Sequence, residues 1–294
     1  HCNCREQNCY YAIRYNFIWV TLEFPGRKGE CSVKRKLIRN IVLLVMGVLV
    51  ILASGCTDSE DASVQETTDE EVANETGSTD EESTGENDSM VDPADFVEGV
   101  DNPYFPLEPG TTFVYEGFVE TSPTDLEVYV TDQTEDVLGV TTTVVRVDET
   151  IEGELVEQAY SWYAQDTAGN VWYFGRDAKQ YDDGEVIDTA GSWEAGVDGA
   201  QPGIVMLGVP QPGLAYRQVY YENVLEDQAA VVSLNENVTV PYGSFEGVLL
   251  IQQWSDLEMG YEVNKYYAED VGLIKEMGVR GVALEFDLVD VTTE

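Results

Sequence analysis

Carboxylates are the side chains with the most chemistry to offer in this sequence. They cluster in apparent turns, and loop oxygens can hold calcium with about six to eight ligands. We predict Asp166, Asn170, Asp182 and Asp183 as calcium ligands, although no cluster follows the EF-hand pattern and 56 Asp and Glu make chance clusters common. Two carboxylates could also hydrolyse a glycosidic bond if the fold held them about 5–9 Å apart.

Aromatic side chains are the second group that could bind something, because flat rings stack on sugars and other planar ligands. Trp162, Trp172, Trp193 and Tyr216 are the predicted ligand-binding residues, provided that their rings are exposed. Cross-strand aromatic pairs also stabilise sheets, so a purely structural role in the core is the competing interpretation.

Thiol and imidazole chemistry is confined to the start of the chain. All five Cys and the single His lie at or before position 56. Beyond Cys56 the sequence therefore excludes Ser-His-Asp triads, Cys-His nucleophiles, His zinc sites and internal disulfides. We therefore predict no catalytic residue and no cofactor. We predict that the protein is a binding or assembly module and not an enzyme.

The net charge of −41 bears on the choice of partner. Only seven Lys and Arg follow position 56, so no basic patch exists to bind nucleic acid. High negative charge keeps a protein soluble and monomeric, and a salt-adapted host would explain it without any ligand. We predict a monomer that does not bind nucleic acid.

Residues 33–55 have the pattern of a secretory signal peptide. Lys and Arg in 34–40 precede an uncharged apolar run at 41–53, and Ser54 and Gly55 lead into Cys56. An uncleaved membrane anchor is the alternative, but a span needs about 20 apolar residues. The segment 52–56, Leu-Ala-Ser-Gly-Cys, resembles the lipobox of prokaryotic lipoproteins, with Ala53 where Leu is usual. The resemblance implies lipid attachment at Cys56 and a location on the outer face of the cytoplasmic membrane, in the cell envelope.

Residues 1–32 differ from the rest of the chain, with four of the five Cys, the only His and no initiating Met. We predict that they are untranslated or mis-annotated upstream sequence and that Val33 corresponds to a GTG start. Residues 56–95 are predicted to be a disordered acidic tether, because 57–95 contain no aromatic and no basic residue. Asn74, Asn87 and Asn237 match the N-glycosylation pattern, Asn followed two residues later by Ser or Thr.

Residues 96–294 are predicted to form one β domain, because apolar and polar residues alternate there with frequent Gly. The pattern favours an all-β fold: a single curved antiparallel sheet, a half-barrel or a sandwich of about eleven strands. Residues 191–213 interrupt the pattern with six Gly and three Pro, and are predicted to be a long loop that either covers the core or carries function. The predicted strands are 111–119, 125–132, 138–148, 154–165, 170–177, 214–222, 228–235, 246–255, 260–268, 271–277 and 281–291.

Three phrases of the domain resemble a known family. These are NPYFPLEPG at 102–110, VPYGSFEGV at 240–248 and KYYAEDVGLIKE at 265–276. They are similar to phrases of TapB-like secreted proteins and lipoproteins of unknown function. The resemblance implies a curved antiparallel sheet, similar to periplasmic lipoprotein carriers, and supplies no catalytic residues.

The sequence thus predicts a membrane-anchored extracytoplasmic lipoprotein with a non-catalytic β domain for ligand binding or envelope assembly. Its predicted partners are the membrane, through the lipid anchor, and an envelope protein or a small apolar or sugar ligand. Two alternatives remain open: a carboxylate-based hydrolase of extracellular polymer, and a carrier of a hydrophobic ligand on the concave face of the sheet.

Overall fold

The computed structural model describes residues 91–294 and, before them, only the backbone of three short strands. These described parts contain eighteen β-strands and one 3-10 helix, at Pro93–Asp95. The strands are β1 Cys2–Arg5, β2 Asn8–Tyr15, β3 Ile18–Pro25, β4 Phe96–Val97, β5 Thr111–Val119, β6 Ser122–Val137, β7 Val140–Ile151, β8 Glu154–Asp166, β9 Val171–Asp182, β10 Glu185–Asp188, β11 Trp193–Glu194, β12 Gln201–Met206, β13 Ala215–Tyr221, β14 Leu225–Val240, β15 Gly243–Ser255, β16 Glu262–Ala268, β17 Gly272–Arg280 and β18 Leu284–Thr293.

The chain divides into two units, 1–85 and 86–294. In the first unit, β1, β2 and β3 form a small antiparallel sheet in that order. The predicted signal peptide, Cys56, Asn74 and Asn87 lie outside the described residues, as does the tether up to position 90. Helices that could span a membrane are absent from the described part of the chain.

The second unit is a closed antiparallel barrel. Twelve strands pair in the cyclic order β9, β12, β13, β14, β15, β16, β17, β18, β5, β6, β7 and β8, and β8 pairs with β9 to complete the ring. The all-β, antiparallel prediction is confirmed. The predicted open sheet, half-barrel or sandwich is wrong, because a twelfth strand joins the two edges that such a sheet would leave free.

The closing strand β12 lies within the segment predicted to be a loop. It pairs with β13 through Gln201 and Pro202 alone, and with β9 from Gly203 to Met206 with a shift in register. Beyond those pairs, side chains of β13 replace the backbone ladder: Gln218 Nε2 and the Tyr216 hydroxyl lie 3.4 and 3.5 Å from the Val205 carbonyl oxygen. The contact between β12 and β13 is therefore the most weakly paired strand–strand contact in the ring.

The main core lies inside the ring. One buried cluster, together with the side chains packed on it, takes residues from all twelve strands of the barrel. Alternation explains this arrangement, because every second residue of each strand points inward and the strands follow one another around the axis. Fully buried members include Val130, Met206, Leu249, Ile274 and Leu288.

Residues 100–107 cover one end of the barrel. Val100 and Leu107 belong to the main core, and the ring of Phe105 lies 5.3 Å from that of Tyr163. The buried amide of Asn102 donates through Nδ2 to the carbonyl oxygens of Gly169 and Leu207, at 2.8 and 3.2 Å. The segment therefore links the β8–β9 turn to the end of β12, and we call it the end cap.

Candidate functional site

The interior wall formed by β7, β8 and β9 is polar toward the end away from the end cap. Glu149 lies directly opposite Glu157, and Glu157 lies opposite Gln180 on the next strand. Directly opposed residues on neighbouring strands point to the same face of the sheet. Here that face is the inner one, because the buried Ser161 lies on it too. The Glu157 carboxylate accepts hydrogen bonds from Arg176 Nη2 and Gln180 Nε2. This wall thus holds two carboxylates and one guanidinium.

The opposite wall, from β14 to β17, carries a second set of interior charges. Lys265 lies opposite the core residue Ile251 and opposite Glu276, and its Nζ is 3.7 Å from the Glu276 carboxylate. Asp227 lies across from Ser255 on the same wall. With the first wall, the interior holds four carboxylates and two cations, an excess of negative charge in a partly desolvated space.

Burial raises the pKa of Asp227, and the hydrogen bond with Ser255 and the charge of Lys265 only partly oppose the rise. A carboxyl group whose pKa is higher in the folded protein than in the unfolded chain stabilises the fold at pH values below the unfolded-state pKa. That stabilisation is lost as the pH rises through the folded-state pKa. We therefore expect Asp227→Asn to be more stable than the wild type at pH 7 and equal to it near pH 3. Urea unfolding at the two pH values measures this difference.

The exposed Asp125→Asn is the matched control, since it removes one carboxylate from the outer surface. It should change the free energy of unfolding little at either pH. A loss of stability in Asp227→Asn at pH 7 would mean that attraction to Lys265 outweighs the cost of burial.

Five tyrosines lie between the polar walls and the apolar core: Tyr115, Tyr163, Tyr173, Tyr216 and Tyr267. Desolvation by burial raises the pKa of each hydroxyl. Tyr267 also raises the pKa of Tyr163, although β16 and β8 lie on opposite sides of the ring. We call these five residues, which cross the interior, the tyrosine belt. The rings of Tyr163 and Tyr173 stack at 5.0 Å.

The tyrosine belt is not uniformly packed. Tyr115 and Tyr267 keep 5% and 4% of their surface exposed, whereas Tyr163, Tyr173 and Tyr216 are only half-buried. All five side chains face the inside of the ring, as their pairing with buried residues such as Leu249, Leu288 and Ala229 shows. The second group therefore keeps accessible surface on the inner side of the barrel wall, and we call the space that it faces the lumen.

The predicted ligand-binding residues do not form an exposed stacking platform. Trp162, Trp172 and Trp193 belong to one cluster on the β8–β9 side of the barrel, where Trp193 is buried. Tyr216 lies in the main core beside the lumen. Gly175 allows the strand of Trp193 to approach β9, since its φ is 145° and an added Cβ would lie 2.5 Å from the Trp193 carbonyl oxygen.

Two of the four predicted calcium ligands organise the β8–β9 turn. Asp166 Oδ1 accepts from the backbone N–H groups of Ala168 and Asn170, both at 2.9 Å. Asp166 Oδ2 accepts from Asn170 Nδ2 and Trp172 Nε1, both at 2.8 Å. Asn170 Oδ1 in turn accepts from the Gly208 N–H at 2.9 Å. These bonds engage the whole carboxylate, which a metal ion would have to displace.

The other two predicted ligands, Asp182 and Asp183, lie at the far end of β9. A strand of this length spans roughly 35 Å, so the four residues occupy two separate turns. Within residues 91–294 no group of three or more His, Cys, Asp and Glu side chains is placed to hold a metal ion. Asn237 is exposed on β14.

Sequence reasoning missed the charged residues of the interior. Glu157, Arg176, Lys265 and Glu276 stand among dozens of charged side chains and belong to no motif. A signal was present, however: on β16 the charge of Lys265 interrupts an inward row of apolar and aromatic residues. Charges on the apolar side of a strand are costly to bury without partners, so they indicate an interior site.

Comparisons with known proteins identify no family for the chain. No protein-family profile matches it, and no curated protein matches it. The resemblance to TapB-like lipoproteins is therefore not confirmed.

Two solved structures are similar to the barrel. One is from Bacteroides fragilis and is designated an exported protein with a YmcC-like fold; it is 14% identical, with a TM-score of 0.38, over 65% of this chain and 99% of its own. The other, from Parabacteroides distasonis, is designated a lipoprotein; it is 12% identical, with a TM-score of 0.33, over 65% and 99%. Similarities of this size carry no conclusion about the function of this chain.

Proposed function

We propose that the barrel is a non-catalytic binding module that holds one small, mainly apolar ligand in the lumen. The observation that supports this most directly is the partial accessibility of Tyr163, Tyr173 and Tyr216 on the inner side of a closed ring. An apolar and aromatic cavity with a few polar groups is the usual form of a small-molecule site. The proposal follows the carrier alternative, with the inside of the barrel in place of an open concave face.

We further propose that the module is anchored at the outer face of the cytoplasmic membrane through a lipid on Cys56. The apolar run at 41–53 and the Cys that follows it support this placement. Mass spectrometry of the peptide that contains Cys56 tests it. A diacylglyceryl adduct is expected, and an unmodified Cys56 preceded by the intact apolar run would contradict the anchor.

Native mass spectrometry of the full chain, released from its detergent micelle, tests the binding function with decanol as the probe. We expect one decanol per chain, bound saturably. Tyr216→Trp should reduce binding about tenfold or more, because it fills the lumen while giving up only one long hydrogen bond. Tyr160→Trp is the control on the outer face of β8, and should bind like the wild type. Absence of saturable uptake by the wild type would refute the proposal.

A carboxylate-based hydrolase remains the second proposal, because Glu149 and Glu157 lie directly opposite each other. Opposed side chains on neighbouring strands have Cβ atoms about 5 Å apart, which is compatible with the carboxylate separation of retaining glycosidases. Release of reducing sugar from soluble β-glucans and from peptidoglycan strands tests it. Activity that Glu149→Gln abolishes would support the hydrolase, and no release from either substrate would remove it.

A further inference from the structure

Two buried N–H donors stand side by side without an acceptor. Neither Arg176 Nε nor Trp193 Nε1 has a hydrogen-bond partner in the described structure. The two residues are direct partners in the pairing of β9 with β11, so their side chains emerge on the same face. An unsatisfied buried donor is rare and costly, and two at adjacent positions suggest that one acceptor is missing.

The groups around these donors do not supply that acceptor. Arg176 is held by Glu157 through Nη2, which leaves Nε free, and 18% of the Arg176 side chain remains exposed. The edge-to-face contact of Trp193 with Tyr173, at 5.1 Å between ring centroids, lets the indole N–H lower the pKa of the Tyr173 hydroxyl, but the geometry is too poor for the hydroxyl to satisfy this donor. That hydroxyl lies 3.4 Å from Ser161 Oγ. The two donors therefore adjoin the accessible side of the tyrosine belt.

We infer that Arg176 and Trp193 receive the carboxylate of the ligand, whose apolar body lies along Tyr163, Tyr173 and Tyr216. This inference rests on the proposed binding function and specifies its ligand class. A carboxylate satisfies both donors with its two oxygens, and hydrogen bonds between a guanidinium and a carboxylate are stronger than those between neutral groups. The described domain carries 40 acidic and seven basic residues, so a singly charged head group fits better than the nearly doubly charged head group of a phosphate monoester.

Binding of decanoate, decanol and decylamine to the full chain tests this inference by native mass spectrometry. These probes share one apolar body and differ in the head group. We expect the wild type to bind decanoate about tenfold tighter than decanol, and decylamine no better than decanol. Trp193→Phe should lose most of the preference for decanoate, because a single hydrogen bond corresponds to about a tenfold change in affinity.

Trp172→Phe is the matched control, since the Trp172 indole N–H already donates to Asp166. It should lower the unfolding midpoint and leave the preference for decanoate intact. Trp193→Phe should lower the midpoint of the unliganded protein less than Trp172→Phe does, because both variants lose ring volume but only Trp172→Phe also loses a hydrogen bond. A tryptophan with a merely structural role would show the opposite pattern.

The possible outcomes separate the inference from the proposed function. Uptake of neither decanol nor decanoate by the wild type would refute the binding function itself. Equal affinity for the two probes would overturn the carboxylate site alone, as would a Trp193→Phe variant that keeps the preference or weakens both probes equally.

Discussion

Replacing Gly117 with alanine is expected to lower the free energy of unfolding by more than about 3 kcal/mol, toward or beyond the upper end of the usual cost of overpacking. Gly117 lies on β5 opposite Phe286 of β18. An added Cβ would stand 1.8 Å from the carbonyl oxygen of Glu285 and 2.8 Å from its carbonyl carbon. These are backbone atoms that cannot swing aside, so β5 and β18 would have to separate. Urea unfolding followed by tryptophan fluorescence measures the loss.

The control for this variant is Gly243→Ala, at a position where the added methyl would meet only the Phe245 ring, at 3.4 Å. That change should cost less than about 1 kcal/mol, which is within the usual range for surface substitutions and ordinary contacts. If both variants were equally stable, β5 and β18 would not approach as closely as the closed ring requires. Because the lumen depends on that closure, Gly117→Ala should also lose saturable decanol uptake.

Replacing Asn102 with alanine is expected to cost about 3–5 kcal/mol, because it removes three hydrogen bonds and leaves buried backbone groups without partners. The Asn102 amide donates to Gly169 and Leu207, and its Oδ1 accepts from the Tyr104 N–H at 2.9 Å. Only 3% of Asn102 is exposed, so water cannot replace these bonds readily. Thermal and chemical unfolding of the purified variant measure the effect.

Asn102→Asp distinguishes lost hydrogen bonds from lost volume. It is nearly the same size, yet it has no donor for the two carbonyl oxygens and would place a carboxylate against them. We expect it to be at least as destabilising as the alanine variant. Asn235→Ala, at an exposed position on β14, is the control and should change stability by less than about 0.5 kcal/mol. An Asn102→Asp variant of native stability would show that the end cap does not depend on these donors.

The candidate site was only partly accessible to sequence reasoning. Trp193 was predicted as a ligand-binding residue on the assumption that its ring is exposed, and it is instead buried with a free N–H beside Arg176. The relevance of Arg176 could not be seen from the sequence, because its burial depends on the pairing of β9 with β8 and β11. Asp166 and Asn170 were predicted as metal ligands because a turn rich in oxygen atoms looks the same whether it binds calcium or its own backbone N–H groups.

Eleven of the twelve barrel strands could be predicted from the sequence, because alternation of apolar and polar residues is a local property that the pleated backbone converts directly into an inner and an outer face. The absence of thiols and imidazoles beyond Cys56 was equally plain. The closure of the barrel could not be predicted, because β12 reads Gln-Pro-Gly-Ile-Val-Met and lacks the alternating pattern of a strand. Residues 201–206 become a strand only because β9 and β13 each present an unpaired backbone edge on either side of them. Which charges lie inside was decided in the same way, by the register of strands distant in sequence, and so belongs to the tertiary structure alone.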